Sequence, residues 1–182
     1  GGYSVAVGYN ALSAATTGGY NTAVGRGALQ ANTDATNNSA FGNAALLSNT
    51  TGVNNVALGR AALEANTTAN NNTAVGYYAL LANTTGTNNT AVGKSALPAN
   101  TTGTKQTALG TQTLETATTG DENTAVGYGA LASITTASNN TAVGCNALVQ
   151  STASNNTAVG QDCLAANTTG TSNVAVGALA LD

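Results

Sequence analysis

Few side chains in this sequence can do chemistry, and their spacing decides what kind. There is no histidine, which removes His-based triads, imidazole general bases and His zinc ligands. The acidic residues are Asp34, Glu64, Glu115, Asp121, Glu122, Asp162 and Asp182, and only Asp121 and Glu122 adjoin. A carboxylate pair does acid/base work when burial separates its pKa values. These two stand at turn positions, where solvent gives no such separation. Cys145 and Cys163 lack the Cys-x-x-Cys spacing of a metal site. They also fall in different columns of the repeat described below, beyond disulfide reach, so both are expected as free thiols. Gly93-Lys94-Ser95 imitates the end of a phosphate loop, but the first glycine of that motif would fall at position 88, which is Asn88. The regular Asp column of a calcium-binding roll is absent. The reading is a non-enzyme with no catalytic residue, no metal and no cofactor.

The side chains best suited to recognition are Tyr9, Arg26, Arg60, Tyr77, Lys94 and Tyr128, all at one recurring position. Tyr and Arg are favoured at recognition surfaces, and a column alternating between aromatic, cationic and small polar types must be exposed. It is a candidate surface-binding stripe, although a solvated edge accounts for the same pattern.

What positions these residues is a repeat. Glycines at 8, 25, 42, 59, 76, 93, 110, 127, 144, 160 and 177 recur every 17 residues, except for one interval of 16 between Gly144 and Gly160. The shortened copy lacks a residue in the stretch from Ser151 to Ser154. Self-similarity at a fixed short period is the signature of a solenoid. The fold class is therefore all-β with short helical turns allowed: a parallel β-solenoid, or β-roll, of eleven coils forming one repetitive unit over 1–182. Charged residues are 6% of the chain and the net charge is −3, so solubility rests on Asn, Thr and Ser, and no basic stripe exists for nucleic acid. No run approaches the ~20 apolar residues of a membrane-spanning helix. The chain opens and closes within the repeat, as a segment of a longer fibre would.

Each column of the aligned copies has a physical reading. Thr-Ala-Val-Gly, as at Thr73 to Gly76, is a short β-branched strand ended by a glycine corner. Leu29, Leu46, Leu63, Leu80, Leu97, Leu114, Leu131 and Leu148 form the core ladder, on a half-coil rich enough in Ala and Leu to favour a single helical turn over a second strand. Val75 and its equivalents are expected inside. The invariant alanines, among them Ala23, Ala40, Ala57, Ala74, Ala91, Ala108, Ala125 and Ala142, must then face outward, and their smallness marks a dry contact between chains. The other reading is that alanine fits a cramped interior opposite leucine. Asn-Thr-Thr-Gly-x-Asn-Asn closes the coil with turn-forming residues, and the Asn before each Thr-Ala-Val is expected to stack as an Asn ladder. Asn49, Asn83 and Asn167 lie in glycosylation sequons that the repeat itself spells.

Asn-Thr-Ala-Val-Gly, repeated in phase over the whole chain, resembles the head repeats of trimeric autotransporter adhesins and related repeats of phage tail fibres. The resemblance implies a left-handed roll, three chains packed about an axis, and an extracellular role in attachment, on a cell surface or a virion fibre, with a host-surface protein or glycan as partner. The repeat here is longer than the adhesin unit and carries the added Ala-Leu segment. Two rival readings remain: a self-assembling extracellular filament, and an ice-binding solenoid, against which the adjacent pair Thr84-Thr85 counts because neighbours on a strand face opposite ways.

Overall fold

A computed structural model describes residues 2–182. Thr-Ala-Val and its variants form eleven three-residue strands: β1 (Val5–Val7), β2 (Thr22–Val24), β3 (Ser39–Phe41), β4 (Val56–Leu58), β5 (Thr73–Val75), β6 (Thr90–Val92), β7 (Thr107–Leu109), β8 (Thr124–Val126), β9 (Thr141–Val143), β10 (Thr157–Val159) and β11 (Val174–Val176). They pair in parallel and in sequence order as one sheet, with equivalent columns in register, Ala74 on Ala91 and Val75 on Val92. The result is a β-solenoid with a 17-residue period and a length of about 50 Å at normal strand spacing. The 16-residue coil keeps this register, with Thr141 on Thr157. The deletion is absorbed in the turn, where Ser151 takes a buried place that most other coils give to Asn.

No helix occurs among the described residues, and the expected helical turn is corrected to a run of β-turns. The second and fourth residues after each glycine take positive φ, as at Tyr78 (59°) and Leu80 (50°). A helix needs negative φ throughout. Linked turns close through Ala79 N–H to Gly76 O and Asn83 N–H to Leu80 O, both i to i+3, while Leu80 N–H donates to Ala96 O of the next coil at 3.0 Å. A left-handed leucine costs roughly 1–2 kcal/mol, whereas burying its side chain contributes about 1.5–3 kcal/mol. Burial wins in every coil from Leu29 to Leu148, all fully enclosed.

The direction of the strand is the larger correction. Ala23, Ala40, Ala57, Ala74, Ala91, Ala108, Ala125 and Ala142 are all at 0% exposure within this one chain, so none is free to touch a neighbour. They pack against the Ala-Leu half-coil in a single apolar column. The residues expected inside point out: Phe41, Leu58, Val92, Leu109, Val143 and Val159 are 37–49% exposed. The reason is the coil's thin section. Two columns of buried asparagine share the interior with leucine, which leaves room for a methyl group and not for an isopropyl.

Candidate functional site

Two Asn columns hold the scaffold. Asn72 accepts from the backbone N–H of Asn89 at 2.9 Å and donates from Nδ2 to Gly86 O at 2.9 Å. One side chain thus bonds the backbone of the next coil at two points, satisfying polar groups that would be costly if buried alone. The expected ladder exists, but it runs mainly through backbone partners. A second ladder, not foreseen, passes from amide to amide: Asn66 to Asn49, Asn83 to Asn66 and Asn100 to Asn83, at 2.8–2.9 Å. Asn49 and Asn83 are fully buried in it, so those two sequons are closed to modification in the folded chain.

The acidic pair serves the turns. Asp121 accepts from the Thr104 N–H and hydroxyl at 2.6 and 2.9 Å, and Glu122 pairs with Lys105 at 2.6 Å, which raises the Lys105 pKa. Asp34 accepts from the hydroxyls of Thr17 and Thr16, at 2.6 and 2.8 Å, and these bonds lower its pKa. Cys145 is exposed, Cys163 buried, and both are free. Among the described residues no group of three or more His, Cys, Asp or Glu could hold a metal, and no helix is long and apolar enough to cross a membrane.

The candidate stripe follows the glycine corner, and its six members are exposed. The structure joins two of them: Arg60 donates to the Tyr77 hydroxyl at 3.0 Å and lies 5.5 Å from the ring centroids of both Tyr77 and Tyr78. The two rings are 3.9 Å apart, and the hydrogen bond with Tyr77 raises the Tyr78 pKa against the opposing effect of Arg60. Tyr9 and Arg26 line one concavity together, and Tyr128 lines a smaller one. Lys94 stands apart from these groups.

Sequence reasoning singled out the first residue after each glycine and passed over the second and fifth. These three columns together form the relief of the surface. The available signal was the second column, where Gly27 and Gly129 interrupt larger residues such as Tyr78 and Gln112. No protein-family model, curated protein or solved structure matches the chain.

Proposed function

We propose that this chain is a non-enzymatic structural and adhesive segment of an extracellular fibre, from a cell-surface adhesin or a phage tail fibre, in which three copies lie side by side. One observation carries the reading: an uncharged strip of outward residues, Thr73 and Val75 with their equivalents, runs along all eleven strands over an interior that is already complete. A strip about 50 Å by 10 Å presents roughly 500 Å² per chain. That falls within the roughly 300–600 Å² of the largest apolar patch on a typical monomer, a patch that is often functional, and three such strips converging on one axis bring together about 1,500 Å², above the roughly 1,000 Å² of a specific contact. Copies of the chain match it in length and register. The chain contact therefore moves from the alanine column to the valine column.

Light scattering of the purified segment tests this. A mass of three chains supports it, and a monomer at micromolar concentration refutes it.

A second reading has its own observation. Thr73, Thr90, Thr107, Thr124, Thr141 and Thr157 stand in one outward row beside the valines, which makes a regular flat face that Thr84-Thr85 does not provide. Such a face suits ordered water, as in ice binding. Thermal hysteresis of a monomeric sample would favour this reading over the fibre.

A further inference from the structure

We infer that the surface after the glycine corner, over the first four coils, is a trough that binds a short acidic saccharide. This rests on the attachment reading and supplies its ligand class.

The trough has a volume of about 280 Å³, close to the lower end of small-ligand sites. Its floor is the second column after the glycine. Gly27 has no side chain there, and Leu47 Cδ1 and Gln30 Oε1 lie over it, 3.1 and 3.3 Å from where a Cβ would stand; Ala44 has only a methyl, and Ala61 is 3% exposed. One coil further on, Tyr78 occupies the same column at almost the same φ as Ala44, 59° against 58°, and closes the floor. The ends are aromatic. Tyr9, 71% exposed, stands at one end, and the Tyr77–Tyr78 pair braced by Arg60 stands past the other.

A sugar ring needs a flat apolar surface for its C–H face and polar groups around its rim. Tyr9 offers the first; Gln30 and Asn43 on the trough walls offer the second, and the Glu64 carboxylate lines the trough two coils from Arg26, about 10 Å along the stack, which leaves the Arg26 end to an acid group. The charge pattern adds an acid group. Lys105–Glu122 is the one ion pair among the described residues, so the Arg26 guanidinium in the trough is unpaired. Arg60 stands two coils away, about 10 Å along the same column. A guanidinium binds a carboxylate through two parallel charge-assisted hydrogen bonds, and Arg26 has that capacity unused.

The same columns make a second, smaller trough of about 150 Å³ at Gly129, lined by Tyr128, Gln112, Glu115 and Asn146. It forms at the other coil where glycine opens the floor, and it has no arginine. Preference for an acid therefore belongs to the first trough. None of these residues lies on the Thr–Val strip, so side-by-side assembly does not consume them.

Calorimetric titration of the whole segment with trigalacturonate, sialyllactose and neutral maltotriose is the test. At least one acidic probe binds saturably, and maltotriose binds roughly tenfold or more weakly, a difference of about 1.4 kcal/mol. Arg26→Gln removes the preference for acid. Ala44→Tyr, which copies the residue the chain already carries at 78, fills the floor and abolishes binding with an unchanged melting temperature. Failure of both acidic probes to bind the unaltered segment, or full binding by a folded Ala44→Tyr, overturns the proposal. Adhesion to cells separates it from the broader reading: equal adhesion by the unaltered chain and Ala44→Tyr discards the trough and keeps attachment. Saccharide binding without adhesion to any cell surface does the reverse.

Discussion

Asn100 donates its Nδ2 hydrogen to Asn83 Oδ1 at 2.8 Å, while its own Oδ1, fully buried, accepts nothing. The next coil explains the asymmetry. Where an asparagine would donate to Asn100, the column holds Ala117 and then Ile134, both at 0% exposure. The amide ladder stops there and an apolar plug continues the interior. Asn32 Oδ1, at the other end of the ladder, is likewise without a donor.

The two ends and the middle of that ladder should therefore differ in worth. Asn83→Ala deprives Asn66 Oδ1 of its donor and Asn100 Nδ2 of one of its two acceptors and should cost about 1–3 kcal/mol. Asn32→Ala removes an acceptor that is already orphaned and one long bond of 3.4 Å to Ala35 O, so its loss should be smaller. Calorimetric melts of the two variants check the order; an equal fall in melting temperature would show that the ladder is not the source of the stability.

The inward alanine leads to a second contrast. Ala74→Glu places an unpaired charge in a closed interior and should cost about 3–5 kcal/mol, with the coils lost along with the assembly. Val75→Glu points outward, so circular dichroism should be retained, and the mass of the proposed three-chain assembly should fall. A folded, dissociated Ala74→Glu would return the alanines to the chain contact.

The period, the parallel stacking, the leucine ladder and the glycine corners were legible because each is a recurrence, and recurrence survives without knowledge of which way a side chain points. The strand's direction was legible too, in a signal that went unused. Asn72 and Ala74 are two residues apart and so share a face, and an asparagine column stacked for hydrogen bonding belongs inside with its alanine. Weighing size alone put valine in a space too narrow for it. The turn half-coil was harder. Ala and Leu favour helix by propensity, and what offsets a left-handed leucine, its burial together with inter-coil bonding such as Leu80 N–H to Ala96 O, exists only once the coils stack. The trough was hidden for a related reason: its floor is made by missing side chains at Gly27 and Ala44, which carry no chemical signature in a list of residues.

The response to pH should be flat through neutrality and slope at both extremes. With no histidine in the chain, the resolved shifts concern the exposed Asp34 and Lys105 and the half-buried Tyr78. Asp34 is lowered from 3.8 by the Thr17 and Thr16 hydroxyls, so the contribution of those bonds is present above that value and lost as pH falls through the lower folded one. Lys105 is raised from 10.5 by Glu122, so its contribution is present below that value and lost as pH rises through the higher folded one. Tyr78 is raised from 10.0, chiefly by its bond with Tyr77, and acts in the same direction as Lys105. Melting temperature against pH should show a plateau, with Asp34→Asn weakening the acid slope and Lys105→Gln the alkaline one. A midpoint near pH 6.5 would contradict this assignment.

Glycine has two different uses here, and substitution should tell them apart. At Gly76 the backbone has φ 137°, and an added Cβ would lie 2.4 Å from the carbonyl oxygen of Gly93 in the next coil. Both the dihedral and the contact exclude a side chain, and backbone cannot move aside as a side chain does. Gly76→Ala should therefore cost at least about 2–3 kcal/mol and open the stack at that coil. Gly129 is different. Its φ of 64° lies in the left-handed region that asparagine tolerates, and the same column already holds Asn10 and Asn146 at 56° and 54°. A Cβ there meets the Asn146 side-chain oxygen at 2.7 Å, an atom at the end of a rotatable group. Gly129→Asn should stay within about 1 kcal/mol of the parent, helped by the reduced entropy of the unfolded chain. Hydrogen exchange at the amides of Gly93 and Gly144, both bonded across coils, locates the damage: faster exchange at Gly93 in Gly76→Ala, with Gly144 unchanged in Gly129→Asn, is the expected pair of results. Equal protection in both variants would mean that the corner glycines are not what holds neighbouring coils at this distance.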